Sequence, residues 1–209
     1  MSLLIFDFFA GTGSSTQAFV DAGHRVVTFE LDPRFEATET VDIMSVNADD
    51  LLERYGRPDF VWASPPCTAF SVASIGHHWH RGGIPKTIEA AENQKLVWKA
   101  RELAEKLAPR FGFLIENPRG MLRKLAPVQG LTRRTVTYCQ YGDDRMKPTD
   151  LWGDVPGWEA RQACSNGSSC HVSAPRGSRT GTQGRENAVE RSRVPYDLGK
   201  EILEAIESV

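Results

Sequence analysis

Two places in this chain join a reactive side chain to rigid backbone. The first is Ser64-Pro65-Pro66-Cys67, which follows the apolar run Asp59-Phe60-Val61-Trp62-Ala63. That run reads as a buried strand. Two prolines cannot continue its hydrogen-bond ladder and hold the next turn extended. A thiol is thereby presented at the carboxyl end of a strand, where open α/β sheets place ligands and chemistry. Such a thiol can be a nucleophile, although a lone Cys can also be a small buried hydrophobe. The second place is Phe113-Leu114-Ile115-Glu116-Asn117-Pro118, which sets a carboxyl group at the end of another apolar run. If the two runs are neighbours in one sheet, Cys67 and Glu116 face one cleft. A plain surface cap is the alternative role for Glu116.

A third motif is a glycine loop, Phe8-Phe9-Ala10-Gly11-Thr12-Gly13-Ser14-Ser15, after the first apolar run. Glycines there let backbone amides approach a ligand beside a helix N-terminus. Glu30 stands nineteen residues beyond Gly11, at the end of the next apolar run. That spacing suits a carboxylate accepting hydrogen bonds from two ribose hydroxyls. The third Gly of the dinucleotide fingerprint is missing, since position 16 is Thr. The motif therefore points to a nucleoside-containing cofactor, or else to an ordinary tight turn between strand and helix. Asp49 could meet an adenine amino group or simply cap a helix.

The elements that must position these groups alternate along the first half of the chain. Strands are expected at Leu3–Phe9, Arg25–Leu31, Ile43–Asn47, Phe60–Ala63 and Phe111–Ile115. Helices are expected at Ser14–Ala22, Asp49–Tyr55 and Thr87–Ala108. In the last of these, polar Glu92, Lys95, Lys99, Glu102 and Lys106 recur every three or four residues, with Ala91, Leu96, Ala100, Leu103 and Leu107 between them. Val72–Lys86 reads as a long loop. The rhythm predicts an α/β fold with a mostly parallel, doubly wound sheet. Further on, Arg134–Tyr141 alternates like a strand, Cys164–Asn187 lacks periodicity, and Pro195 opens a helix to about Ser208 with Leu198, Ile202, Leu203 and Ile206 as its stripe.

The 209 residues suffice for one sizeable domain with a small appendage. The net charge of −2 carries no nucleic-acid signal by itself, so local charge must. Four widely spaced Cys (67, 139, 164 and 170) suggest a reducing, cytoplasmic setting with free thiols or a metal site. The N-terminal apolar run has no basic flank and is broken by Asp7, so it reads as a strand and not a signal peptide; no run reaches transmembrane length.

Phe-x-Gly-x-Gly, an acidic end to the second strand, Pro-Cys-x-x-Phe-Ser at Pro66–Ser71 and Glu116-Asn117, in this order, resemble the cytosine C5 DNA methyltransferases. The likeness covers about residues 3–118 and returns at Val194-Pro195 with its helix. It implies a Rossmann-like methyltransferase fold, S-adenosylmethionine as methyl donor with S-adenosylhomocysteine as product, and DNA as partner. By resemblance, Cys67, Glu116 and Asn117 are catalytic. Phe9, Ala10, Gly11, Thr12, Gly13, Glu30, Leu31, Asp49 and Asp50 hold the cofactor, with Pro65 at its methyl end. Ser71, Arg81, Lys86, Arg134, Arg145, Lys147, Arg176 and Arg179 are the candidate substrate and DNA contacts. The Gly-containing stretch around His77–Arg81 would be a lid closing over the substrate, Arg81 and Lys86 near phosphate.

The chain departs from the family in four ways. Thr68 stands where Gln is usual, and Pro118 where Val is usual. No Gln-x-Arg-x-Arg motif occurs, which leaves Arg133, Arg134, Arg145 and Lys147 as available cations. The target-recognition region shrinks to about Asp154–Arg193, some forty residues, too short for an independent core. We therefore expect a catalytic core over 1–153, a short recognition-like insertion over 154–193 and a returning C-terminal helix over 194–209. No metal is assigned. Cys164, Cys170 and His171 could supply three zinc ligands, with a fourth wanting. The same chemistry on RNA or a free nucleotide, a non-catalytic DNA-binding relative and a nicotinamide-dependent oxidoreductase are the rival readings. Restriction–modification and phage genome protection are the biological settings that the family suggests.

Overall fold

A computed structural model describes residues 2–172 and 187–209. One seven-stranded sheet organises them, in the order β3-β2-β1-β4-β5-β7-β6. The strands are β1 (Leu4–Phe8), β2 (Arg25–Glu30), β3 (Glu39–Thr40), β4 (Phe60–Ala63), β5 (Phe113–Pro118), β6 (Arg133–Thr137) and β7 (Pro148–Asp154). The first five pair in parallel. The hairpin of β6 and β7 adds antiparallel to β5. The mostly parallel, Rossmann-like expectation is met.

The helices are α1 (Gln17–Asp21), α2 (Ala48–Tyr55), α3 (Ile75–His78), α4 (Ile88–Leu107), α5 (Ala188–Ser192) and α6 (Tyr196–Glu207). Alternation along each strand feeds two cores. Phe6, Phe8, Val61, Ala63 and Ile115 pack with α2 and α4. Ile5, Phe60, Trp62 and Leu114 pack with α1 and α6. Strands buried on both faces read as continuous apolar runs, which is why β1 and β4 were legible. Gly199 of α6 lies so close to α1 that an added Cβ would sit 2.8 Å from the Ser15 carbonyl oxygen.

Three expectations are corrected. Ile43–Asn47 is not a strand. Ile43–Ser45 forms a 3-10 turn capped by Asp42, and buried Ile43 and Val46 are three residues apart, the period of that turn. Asp49 is consequently not at a strand end; it lies in the first turn of α2, whose Asn47 cap accepts its N–H at 2.8 Å. The expected strand Arg134–Tyr141 ends at Thr137, because Tyr138–Tyr141 turns into a 3-10 helix with Tyr138 and Tyr141 both buried. Residues 72–86 are not a plain loop, since α3 interrupts them. The strand β7 was not anticipated: its buried Thr149 and Asp150 hide it from an apolar count. Asp150 is satisfied internally by Arg123, Nε to Oδ2 at 2.5 Å, and by Thr135 at 2.7 Å.

Asp7 is a carboxyl group in an otherwise apolar strand. It is fully buried beneath the glycine loop, where the Ser15 and Thr16 hydroxyls each donate to its Oδ2 at 2.7 Å. Burial pushes its pKa up to about 7, against the opposing pull of those two hydrogen bonds, with the charge of Glu30 adding a smaller rise. The folded value exceeds the ordinary 3.8, so folding takes up a proton between the two, and the Asp7 contribution to stability falls as pH rises from about 4 to about 7. Thermal unfolding of wild type and Asp7→Asn checks this. The difference in Tm should move in favour of the variant between pH 5 and pH 8, and parallel profiles would contradict it.

Candidate active site

The site lies at the carboxyl ends of β1, β2, β4 and β5. Parallel pairing sets Ala63 against Ile115, so the chain leaves β4 beside the next two residues of β5, Glu116 and Asn117. Ser64 N–H donates to the Phe8 carbonyl at 3.0 Å, extending the pairing by one bond. Asn117 is fully buried and donates from Nδ2 to the Pro65 carbonyl at 2.9 Å. That bond ties the Pro-Pro-Cys turn to the end of β5. Beyond Cys67 the chain turns, with Phe70 and Ser71 N–H groups both donating to the Cys67 carbonyl at 3.0 and 3.2 Å. The turn is pinned again by Met121 N–H donating to the Phe70 carbonyl at 2.8 Å. Gly120 is required there for space, since a Cβ would fall 2.0 Å from that same Phe70 oxygen.

Glu116 is buried, and the Tyr138 hydroxyl donates to its Oε1 at 3.0 Å. Tyr138 lies just past the end of β6. Its role follows from the β6–turn junction, which no local pattern announces. The ammonium of Lys147 lies 4.7 Å from the centre of the Tyr138 ring, and its Nζ donates to the Arg191 carbonyl at 3.1 Å. Dehydration in the cleft pushes the half-buried Cys67 thiol above its ordinary pKa; Lys147 pulls it down, Glu116 pushes it up and Arg191 pulls it down. These three groups thus act electrostatically on one sulfur.

On the other side of the cleft, Glu30 organises the glycine loop. Its Oε2 accepts from Gly11 N–H at 2.9 Å, while Oε1 accepts from Leu31 and Asp32 N–H at 2.8 and 3.1 Å. Gly11 and Gly13 take left-handed backbone conformations, φ +49° and +70°, with open space where a Cβ would stand. Phe9 adopts φ +60° despite its bulky side chain. Such a conformation costs about 1–3 kcal/mol, and residues held in it cluster at active sites and ligand clamps. Open space beside the glycines, an oriented carboxylate and the strained aromatic residue fit a nucleoside-bearing group. Asp49 and Asp50 are exposed at the start of α2, and Leu31 is exposed past β2.

These features match known proteins. The sequence fits the family "C-5 cytosine-specific DNA methylase" over residues 3–127. It is 31% identical to the "Probable DNA (cytosine-5)-methyltransferase" of Frog virus 3 (isolate Goorha), over 79% of this chain and 77% of that one. The chain belongs to the C-5 cytosine-specific DNA methylase family. Its enzyme class follows from that membership, DNA (cytosine-5)-methyltransferase. It is also 30% identical to the type II methyltransferase M.AplI of Arthrospira platensis, over 58% of this chain but 33% of that one. The fold is shared with the Entamoeba histolytica methyltransferase EhMeth, at TM-score 0.55 and 12% identity, covering 78% of this chain and 56% of that one. The chain thus spans about half of that structure and a third of M.AplI.

In this methylase the remaining candidate residues divide by environment. Arg145 is buried, with its nitrogens taken up by Asp143 and by the carbonyls of Glu190, Arg191 and Arg193. Arg134 pairs with Asp154 at 2.8 Å, and its guanidinium lies 5.7 Å from the Trp158 ring centre. Ser71 is half-buried and shares a 2.9 Å hydroxyl contact with Ser74. Arg81 and Lys86 are exposed, Lys86 donating to the Gly76 carbonyl at 2.9 Å. Trp79 anchors their segment by donating to the Ala69 carbonyl at 2.7 Å and stacking on Phe70. Thr68, the departure next to the thiol, donates to Glu89 at 2.6 Å and accepts from Asn93 at 3.1 Å, joining the turn to α4. Arg176 and Arg179 lie outside the described residues. No described helix is long and apolar enough to cross a membrane.

The electrostatics of Cys67 can be read directly. Alkylation by iodoacetamide, followed on the Cys67 peptide by mass spectrometry, should accelerate as pH rises through the alkaline range. Lys147→Gln removes a charge that favours the thiolate, so its midpoint should move to higher pH. An unchanged midpoint would contradict the role given to Lys147.

Proposed function

We propose that this chain methylates C5 of cytosine in DNA through a covalent adduct between Cys67 and C6. The observation that carries this reading is the junction of β4 and β5, where the Pro65–Asn117 bond ties the turn that bears Cys67 to the strand end that bears Glu116. C5 of cytosine is a weak nucleophile. Addition of the Cys67 thiolate to C6 makes C5 enamine-like, and this splits one difficult step into two. Glu116, held by Tyr138, bonds N3 and the exocyclic amine and delivers a proton to N3 as negative charge develops. S-adenosylmethionine, when bound, supplies an electrophilic methyl group on a sulfonium and leaves as S-adenosylhomocysteine. A base then takes the C5 proton, N3 returns its proton, and Cys67 is eliminated as thiolate.

Support for that cofactor comes from Phe9, Gly11, Gly13 and Glu30, with Pro65 between the cradle and the thiol. We assign to Lys147 the place of the missing Gln-x-Arg-x-Arg cation: it stands over the Tyr138 ring that holds Glu116, and among the described cations its field most favours the Cys67 thiolate. A base stacked in duplex hides C6, so the target cytosine must be flipped out or already unpaired. In this reading the exposed Arg81 meets phosphate.

Incubation with DNA and labelled cofactor, followed by nucleoside analysis, tests the activity. 5-Methylcytosine is expected. Cys67→Ser should lower the rate by at least about 10³-fold, and Glu116→Gln by about 10²-fold or more. Label appearing in RNA or free cytidine nucleotides but not in DNA would overturn the substrate. A separate binding series tests the phosphate contact: Arg81→Ala should reduce the slope of log affinity against log salt by about 0.9. An unaltered slope would remove Arg81 from the interface.

A further inference from the structure

Four metal-ligating side chains converge on one point, three from the segment after β7 and one from the turn after β6. Cys139, Cys164, Cys170 and His171 each offer one ligand atom, and these atoms all lie within 4.8 Å of one another. The fourth ligand wanting in the sequence is Cys139, contributed by the turn after β6. Cys164 Sγ stands 3.3 Å from Cys170 Sγ and 3.6 Å from His171 Nδ1, and Cys170 Sγ stands 3.5 Å from the same nitrogen. The four cysteines of the chain are free thiols. A disulfide would bring two sulfurs to about 2.05 Å. Tetrahedral zinc, with Zn–S near 2.3 Å and Zn–N near 2.0–2.1 Å, sets S···S at about 3.8 Å and S···N at about 3.5 Å. The sulfur–nitrogen separations agree with that geometry, and the sulfur pair needs about half an ångström of opening.

We propose that these four residues form a structural Zn²⁺ site. Three thiolates and an imidazole favour zinc over the hard, oxygen-seeking cations. Four protein ligands leave no open position, so the ion holds structure and does no chemistry. Its neighbours already orient the ligands. Cys164 N–H donates to Thr137 Oγ1 at 2.8 Å, and Gln140 Nε2 lies 3.5 Å from Cys170 Sγ. Among the described residues, no helix or strand occurs between β7 and α5. A segment that short cannot stabilise itself by an apolar core, and a metal supplies the missing folding energy. Zinc closes the segment onto the turn Tyr138–Tyr141, whose first residue holds Glu116. The proposal stands independently of the methylation chemistry.

Elemental analysis of the full chain purified without chelator tests it, together with Co²⁺ loading of metal-stripped protein. About one zinc per chain is expected, and Co²⁺ should give intense tetrahedral d–d bands with sulfur-to-metal charge transfer. Cys170→Ser and His171→Ala should each weaken Zn²⁺ affinity by at least about 10-fold while circular dichroism shows a folded chain. Cys67→Ser should keep its zinc. A folded wild-type chain that neither retains Zn²⁺ nor takes up Zn²⁺ or Co²⁺ on addition would overturn the site, as would a Cys164–Cys170 disulfide in a non-reducing peptide map.

Discussion

The structure depends on one juncture, the parallel pairing of β4 with β5 and the hydrogen bond from Asn117 to the Pro65 carbonyl that continues it past the strand ends. Pairing alone would bring the two ends together but leave the following turns free. Two prolines remove backbone donors from the turn after β4, so no ladder bond can hold it. A side-chain amide replaces that ladder. Because the bond is fully buried, water offers it little competition, and the turn becomes as fixed as the sheet. The position of the thiol is therefore a property of the core and not of a surface loop.

Electrostatics at the thiol follow from that placement. Burial that fixes the sulfur also makes its charged form costly, and the neighbouring carboxylate adds to the cost. Lys147 and Arg191 offset this from the far side, along the surface built by β7 and the chain before α6. The antiparallel hairpin of β6 and β7 thus does more than widen the sheet. It delivers Tyr138 to the acid and Lys147 to the thiol from the two sides of one turn. Both residues sit at the same end of the hairpin, Tyr138 just after β6 and Lys147 just before β7.

The first half of the fold was legible because its strands are buried on both faces and its helices are amphipathic. Cys67, Glu116 and Glu30 could be placed from sequence, since each ends an apolar run and topology does the rest. What escaped notice was set by tertiary contacts. The 3-10 turn at Ile43–Ser45 lies in a short apolar stretch, Ile43, Met44 and Val46, whose length suits a strand while its burial three residues apart follows the turn. In β7, Asp150 satisfies its charge with Arg123 rather than with water, so the buried strand carries a polar signature. Tyr138 and Cys139 meet partners far away in sequence, Glu116 for the one and Cys164, Cys170 and His171 for the other, and no spacing rule reaches them. Asp7 was visible as an acid in an apolar strand, but its function as the anchor of Ser15 and Thr16 needed the helix start to be seen.

The central claim is that the Cys67 sulfur bonds to C6 of cytosine, and trapping that bond tests it most directly. DNA carrying 5-fluorocytosine has no removable proton at C5, so methyl transfer leaves the enzyme attached. In the presence of S-adenosylmethionine the account predicts a stable protein–DNA complex whose nucleotide-bearing peptide maps to Cys67, and no such complex with Cys67→Ser. A complex mapping to another residue, or undiminished in Cys67→Ser, would contradict it.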